Sequence, residues 1–145
     1  KAQSIRFKEA QIRPMGRTAA GVRAIKLKKE DHVAGFDIIR KGTDAKQVQV
    51  LGVMENGFGK QAPLSEYKVQ NRGGSGIRTA NITAKTGKLI ASRVVYEEHD
   101  LFALSAKGQV IRTELTGVRK TGRSAQGVRV MNLNAGDKLA AIAIL

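Results

Sequence analysis

The chain has 145 residues, of which 41% are apolar, and its 26 Lys and Arg against 12 Asp and Glu give a net charge of +14. That apolar share is enough for a core and excludes a disordered basic tail, and the length fits one ordinary domain or one piece of a repeat assembly. With no Cys, disulfides, thiolate metal sites and thiol nucleophiles are excluded; no secretory signal is legible either, so a reducing cytoplasm is the expected compartment. No apolar run approaches the roughly 20 residues of a membrane-spanning helix. A charge this large calls for a polyanion, nucleic acid first and an anionic membrane surface second. Trp is absent and aromatics make up 4%, too few for base-stacking platforms, which favours duplex over single-stranded nucleic acid.

In chain order, Ile5–Phe7 reads as the end of a strand, and Pro14 stops any helix from running through it. An Arg/Gly turn follows at Gly16–Arg23. Val22–Leu27 alternates with a strand period, Lys28–Asp31 is a charged turn, Val33–Ile39 is a second strand and Lys41–Asp44 a loop. Val48–Met54 and Phe58–Pro63 flank Asn56-Gly57, the strongest short hairpin signal, since both residues tolerate positive φ. Leu64 and Tyr67 lead into the Gly-rich turn Gln70-Asn71-Arg72-Gly73-Gly74-Ser75-Gly76. Strands are expected at Ile77–Thr83 and, after the turn at Thr86–Lys88, at Leu89–Val95. Leu101–Leu104 and Val110–Thr113 flank a Lys107-Gly108 turn; the turn at Gly122–Arg129, a strand at Val128–Leu133 and a last one at Leu139–Leu145 complete the chain.

The three turns share one pattern: Arg, three small or polar residues, Gly, a β-branched residue, Arg. Gly21, Gly76 and Gly127 stand 55 and 51 residues apart. Gly57 precedes Arg72 by 15 residues, and Gly108 precedes Arg123 by the same 15, an offset independent of the turn pattern itself. No segment keeps a helical apolar period over three turns. The expected fold is therefore all-β, a propeller-like repeat of about three four-stranded blades at residues 1–47 (lacking its first strand), 48–99 and 100–145. Three blades do not close a ring. More blades beyond these residues, two associated copies, or exposed end surfaces are the alternatives, and the abrupt start at Lys1 and apolar finish read as an excised fragment.

The basic residues recur by repeat position. Arg13, Lys68 and Arg119 (with Lys120 beside it), Arg17, Arg72 and Arg123, and Arg23, Arg78 and Arg129 form three aligned sets. On a ring they would stand at regular intervals around its edge, a track for the evenly spaced phosphates of duplex DNA, with the glycines letting backbone N–H groups approach phosphate. Such contacts grip and bend without reading bases. The plainer reading is turn chemistry, with each Arg solvated or paired; Arg23, Arg78 and Arg129, which share strand faces with apolar residues, fit it best. The charge is uneven, at +7 for residues 1–49, +2 for 50–100 and +5 for 101–145.

Other sites find no support. Gly57–Lys60 and Thr86–Lys88 are not followed by helices and so are not nucleotide loops. His32 and His99 stand alone, without ligand spacing, and read as surface residues. Tyr67 shares a register with Ile12 and Val118 and reads as core; Tyr96 reads as a strand end. Asn81-Ile82-Thr83 matches a glycosylation sequon, but lies in an expected strand.

Glu55–Lys60, Glu66–Gly76 and Gly122–Arg129 with its run on to Gly136-Asp137 together resemble the C-terminal domain of bacterial DNA gyrase A, over nearly the whole chain. The resemblance implies a β-pinwheel of about six blades with strands exchanged between neighbours. It implies that DNA wraps around the basic edge of this ring, so that ATP-driven strand passage introduces negative supercoils. It implies partners in duplex DNA, the rest of gyrase A, and gyrase B. It implies no catalytic residue, cofactor or metal in these residues; the catalytic tyrosine and the ATP and Mg sites fall elsewhere in the enzyme. The family's box reads Gln, basic, Arg, Gly, Gly, Lys, Gly. Asn71 and Ser75 depart from it, so Gln70–Gly76 reads as a box-like turn in a penultimate blade, with the true box upstream and these residues as the last half of the domain. A topoisomerase IV-type C-terminal domain is the near alternative. A basic ribosomal or RNA-binding protein would not explain the repeat, nor a protein-binding propeller the charge.

Overall fold

The computed structural model describes all of Lys1–Leu145. Nine strands and three single-turn 3-10 helices alternate along it: β1 Gln3–Ser4, β2 Gln49–Met54, β3 Phe58–Pro63, β4 Ile77–Arg78, β5 Leu89–Val95, β6 Asp100–Ser105, β7 Val110–Glu114, β8 Val128–Arg129 and β9 Leu139–Ile144, with 3-10 turns at Glu9–Gln11, Leu64–Glu66 and Leu115–Gly117. The 3-10 turns repeat at the offsets of the Arg/Gly turns, 55 and then 51 residues.

The hairpin expected at Asn56-Gly57 forms, with β2 and β3 antiparallel from Gln49↔Pro63 to Val53↔Gly59. Gly57 turns the chain at φ +81 and donates its N–H to the Met54 carbonyl at 3.1 Å. Every residue of β2 is buried and, after Gln49, both faces lack polar side chains, because the strand lies inside a stack of sheets. β5 pairs with the other side of β2, with a register shift at Val53/Met54. In the next repeat β7 and β9 flank β6 in the same way, with the shift at Leu104/Ser105.

The exchanged strands are β4 and β8. β8, from the third repeat, pairs with β3 of the second (Phe58↔Arg129, Gly59↔Val128), giving a sheet of order β5-β2-β3-β8. β4, from the second repeat, pairs with β1 of the first (Gln3↔Arg78, Ser4↔Ile77). Parallel bridges beside them, Arg6↔Val69 and Gln61↔Lys120, repeat the relation. Glycine is required at the entry to each. Gly76 (φ +73) and Gly127 (φ +93) are left-handed, and a Cβ on Gly127 would lie 2.6 Å from the Gly59 carbonyl oxygen, one on Gly76 against that of Ser4.

Burial follows the stacking of repeats. The largest core, including Leu51, Val53, Leu101, Leu115, Val118 and Met131, joins the second sheet to the third. A second, around Val50, Leu64, Tyr67 and Val94, receives Ile39 and Ala45 from the first repeat. Each blade thus buries its apolar face only against a neighbour.

Four expectations need correction. Val22–Leu27 and Val33–Ile39 are not strands. β5 and β9, the counterparts of the second segment, pair with β2 and β6, and no strand precedes β1 in this chain to play that part. Phe36 (85% exposed) and Ile38 (68%) are left in solvent. The strands expected at Ile77–Thr83 and Val128–Leu133 shorten to two residues each, because the facing strands end there: β3 begins at Phe58, after the Gly57 turn, and β1 at Gln3, after left-handed Ala2.

Candidate nucleic-acid interface

The order β5-β2-β3-β8 places the fourth strand of a repeat on one side of the sheet and the exchanged strand on the other. β5 packs against β9, and the first repeat approaches the same edge, with Asp37 Oδ2 accepting the Val94 N–H at 2.9 Å. The fourth-strand edges therefore converge. The exchanged strands β4 and β8, with the glycine turns that feed them, lie on the opposite, outer edge.

Of the ten cations the sequence singles out, eight are exposed: Arg13, Arg17, Arg23, Lys68, Arg78, Arg119, Lys120 and Arg129. None of them takes part in any of the four ion pairs, which use the N-terminus, Arg93, Arg112 and Lys138. Arg78 and Arg129 sit on β4 and β8 themselves. Arg129 reaches over the Phe58 ring at 5.2 Å from its centroid, with Lys85 at 5.5 Å from the same ring, so that two cations cluster there without a carboxylate.

The remaining two, Arg72 and Arg123, are half-buried ties between repeats. The Arg72 side chain donates to the Gln11 carbonyl (Nε, 3.2 Å) and the Arg23 carbonyl (Nη1, 2.6 Å), while its backbone N–H donates to Gln11 Oε1 at 2.7 Å. One repeat on, Arg123 donates from Nη1 to the Arg78 carbonyl and from its backbone N–H to Glu66 Oε2, at 2.6 Å in the latter case. Gln11 and Glu66 are themselves equivalent positions, 55 residues apart, a match readable from the repeat once the second role of these arginines is known.

The box-like turn is used in the same way. The N–H groups of Gln70 and Gly73 donate to the Arg6 and Ala24 carbonyls, each at 2.7 Å, and the Gly74 carbonyl accepts from Lys26 at 2.8 Å. With Arg72 also engaged, three of its backbone donors face the neighbouring repeat and are not open to an anion. Asn71 accepts from Gln11 Nε2 at 3.4 Å, and Ser75 is exposed.

Two further inter-repeat contacts escape a search for charge. Gln61 Nε2 donates to the Leu115 (2.6 Å) and Val118 (3.0 Å) carbonyls, as Arg6 Nη1, 55 residues earlier, donates to those of Leu64 (3.4 Å) and Tyr67 (3.1 Å). Lys60, 1% exposed, donates from Nζ to the Gly122 carbonyl at 3.1 Å and to that of Arg123. Burial lowers its pKa to about 8, against the pull of Glu66. Tyr67, as expected, is buried, with its hydroxyl 2.7 Å from Thr79 Oγ1. His32 and His99 are exposed.

Blades that complete one another by strand exchange and carry unpaired cations along their outer edge define a propeller-type domain with a basic rim. Comparison with known proteins narrows that class. The family model of the DNA gyrase C-terminal domain, a beta-propeller, matches residues 1–40, 55–95 and 99–145, and the chain belongs to this family. It is 43% identical over 142 residues to DNA gyrase A of Staphylococcus epidermidis (strain ATCC 12228) and 39% identical to that of Staphylococcus aureus (strain MRSA252), covering 98% of this chain in each case. It spans only 16% of the length of these relatives. A solved structure of the DNA gyrase A C-terminal domain superposes with TM-score 0.83 at 25% identity, over 99% of this chain and 47% of that one. The C-terminal domain of DNA topoisomerase IV, at TM-score 0.63 and 23% identity over 70% of this chain and 31% of that one, shares the fold. The open sheets accord with a piece of such a ring.

Proposed function

We propose that this chain binds duplex DNA without sequence preference and bends it along its outer edge, as the wrapping surface of a type II topoisomerase of the gyrase kind that introduces negative supercoils. The observation that carries the reading is the recurrence of exposed cations outside any ion pair at 13/68/119 and 23/78/129, on and beside the exchanged strands in the second and third repeats and at the equivalent positions of the first, on the edge opposite the one where the fourth strands converge. A net charge of +14 supplies the attraction. Phosphate contact belongs to these two sets with Arg17 and Lys120. Arg72 and Arg123 act by holding the turns from which they project, and Gln70–Gly76 acts as a junction that aims its neighbours. ATP- and Mg-dependent chemistry and the tyrosine of strand cleavage lie outside residues 1–145. The rest of gyrase A, and gyrase B, are its partners in the bacterial cytoplasm, and the open ends of the half-ring allow it to self-associate.

Affinity for duplexes of increasing length, at two salt concentrations and beside a matched RNA duplex, tests this. Affinity that climbs with DNA length beyond one blade's footprint, falls steeply with salt and is weaker for RNA is the expected result. Equal binding of short DNA and RNA duplexes would remove the wrapping reading and favour a generic polyanion surface.

A further inference from the structure

The hairpins of the second and third repeats turn at the same end of the strands, and lysines gather around their tips. Glu55–Gly57 connects β2 to β3, and the turn at Lys107-Gly108 connects β6 to β7. The Glu55 N–H donates to the Lys88 carbonyl at 2.9 Å, and the Ala106 N–H to the Lys138 carbonyl at 2.8 Å. Leu139 joins the two tips, its N–H donating to the Glu55 carbonyl at 2.7 Å. Lys85, Lys88, Lys107 and Lys138 surround them, all exposed. The two carboxylates among them are spent on backbone N–H groups. Glu55 accepts that of Lys88 at 3.0 Å, and Asp137 those of Lys107 (3.1 Å) and Lys138 (2.8 Å). Lys138 also lies 3.9 Å from Glu55, whereas Lys85 and Lys88 take part in no ion pair.

Lys85 connects this end to the outer edge. The connection from Gly76 to Leu89 is one residue longer than that from Gly127 to Leu139. The longer loop closes through the Gly87 N–H and the Thr83 carbonyl at 2.9 Å, over the fully buried Thr86. The hairpin tip holds it in place. Asn56 Nδ2 donates to the Ala84 and Lys85 carbonyls, each at 3.1 Å, and the Asn56 N–H to that of Thr86, also at 3.1 Å. The Lys85 backbone is thus fixed, and its ammonium stands 5.5 Å from the centroid of the Phe58 ring, where Arg129 of β8 stands at 5.2 Å. Two like charges held at one ring repel each other, and an anion between them turns that repulsion into attraction.

The other end of the strands has the opposite sign. Pro63 and Val95 both pair with Gln49 there, and Glu114 with Asp100. The segments that follow, Leu64–Glu66, Tyr96–His99 and Leu115–Gly117, carry Glu66, Glu97 and Glu98 and no Lys or Arg. We propose that the hairpin end is a second phosphate-binding surface, continuous with the outer edge through Lys85, so that the duplex rides toward the hairpins and away from the acidic end. Lys85 and Lys88 are its free contacts, and the field of the acidic end turns the polyanion the same way. The proposal rests on the reading that duplex DNA follows the outer edge, and adds to it where on that edge the duplex lies.

The chain has no Cys, so a single introduced thiol can carry an iron–EDTA group that cleaves nearby DNA. Lys88→Cys and Glu97→Cys place the group at the two ends. With a long duplex bound, strong cleavage is expected from the Lys88→Cys conjugate and little from the Glu97→Cys conjugate. Lys85→Gln/Lys88→Gln is expected to lower the slope of log affinity against log salt by about 2, with an unchanged circular dichroism spectrum. Equal cleavage from both conjugates, or none from Lys88→Cys, would overturn the proposal. Arg23→Glu/Arg78→Glu/Arg129→Glu, measured beside them, separates the two readings. A slope that falls in this triple variant but not in Lys85→Gln/Lys88→Gln would overturn the hairpin-end surface alone; a slope unmoved in both would overturn the outer-edge reading with it.

Discussion

Residues 1–47 and 48–145 carry the same repeat and fold to different extents. In the second and third repeats the fourth strand, seven and six residues long, forms a ladder beside β2 and β6 respectively. In the first, Val33–Ile39 carries the same alternation and forms no ladder, leaving Phe36 85% exposed. Composition does not separate them; a neighbour does. Strand propensity here expresses fit to a half-buried pleated surface, and where that surface is not supplied the segment stays irregular. The difference shows that stability in this fold resides at junctions between repeats.

The most direct way to break the comparison is to damage a junction. Gly127→Val forces a Cβ toward the Gly59 carbonyl at a left-handed φ and is expected to cost about 3–5 kcal/mol in chemical denaturation, whereas Gly21→Val, which meets no atom, is expected to cost about 1–2 kcal/mol from its backbone strain alone. Leu51→Ala, in the core between the second and third sheets, follows at about 2–5 kcal/mol, against less than about 0.5 kcal/mol for the exposed Val33→Ala. Arg123→Met removes the tie to Arg78 and is expected to cost about 1–2 kcal/mol, with little change in the salt dependence of DNA binding. If Arg123→Met leaves stability intact and flattens that dependence, the residue is a phosphate contact instead.

The smallest effect is a pH dependence at one junction. Lys60 is held with a pKa lowered from 10.5 to about 8, so its charged form opposes folding below that value, and the penalty fades as pH rises toward the unfolded value. Tyr67, raised by burial, opposes ionisation and takes stability away only above its ordinary value of 10.0. Between about pH 8 and 10 the denaturation midpoint of the wild type should rise relative to that of Lys60→Met; parallel profiles would mean that Lys60 is not held against its charge.

Much of this architecture was legible in the sequence because period and turn chemistry are local. The 55- and 51-residue offsets, the Asn56-Gly57 hairpin and buried Tyr67 all follow from residues near one another in the chain. The division of labour among the arginines was not. Arg72 and Arg78 are both repeat-aligned cations beside a glycine turn, and only the path of the exchanged strand turns the first inward onto Gln11 and Arg23 while leaving the second in solvent. Lys60 was hidden for the same reason: it stands where the other repeats have Ile5 and Ile111, so no alignment of charge reveals it.

The central claim is that the exposed set, and not the ties, meets DNA. Its most direct test is the slope of log affinity against log salt for a long duplex, compared between the wild type and Arg23→Glu/Arg78→Glu/Arg129→Glu. Each lost phosphate contact should reduce the slope by about 1, so the triple variant is expected to lose about 3 with its folding midpoint unchanged. An unchanged slope in the folded triple variant would contradict the claim and place the DNA on another face.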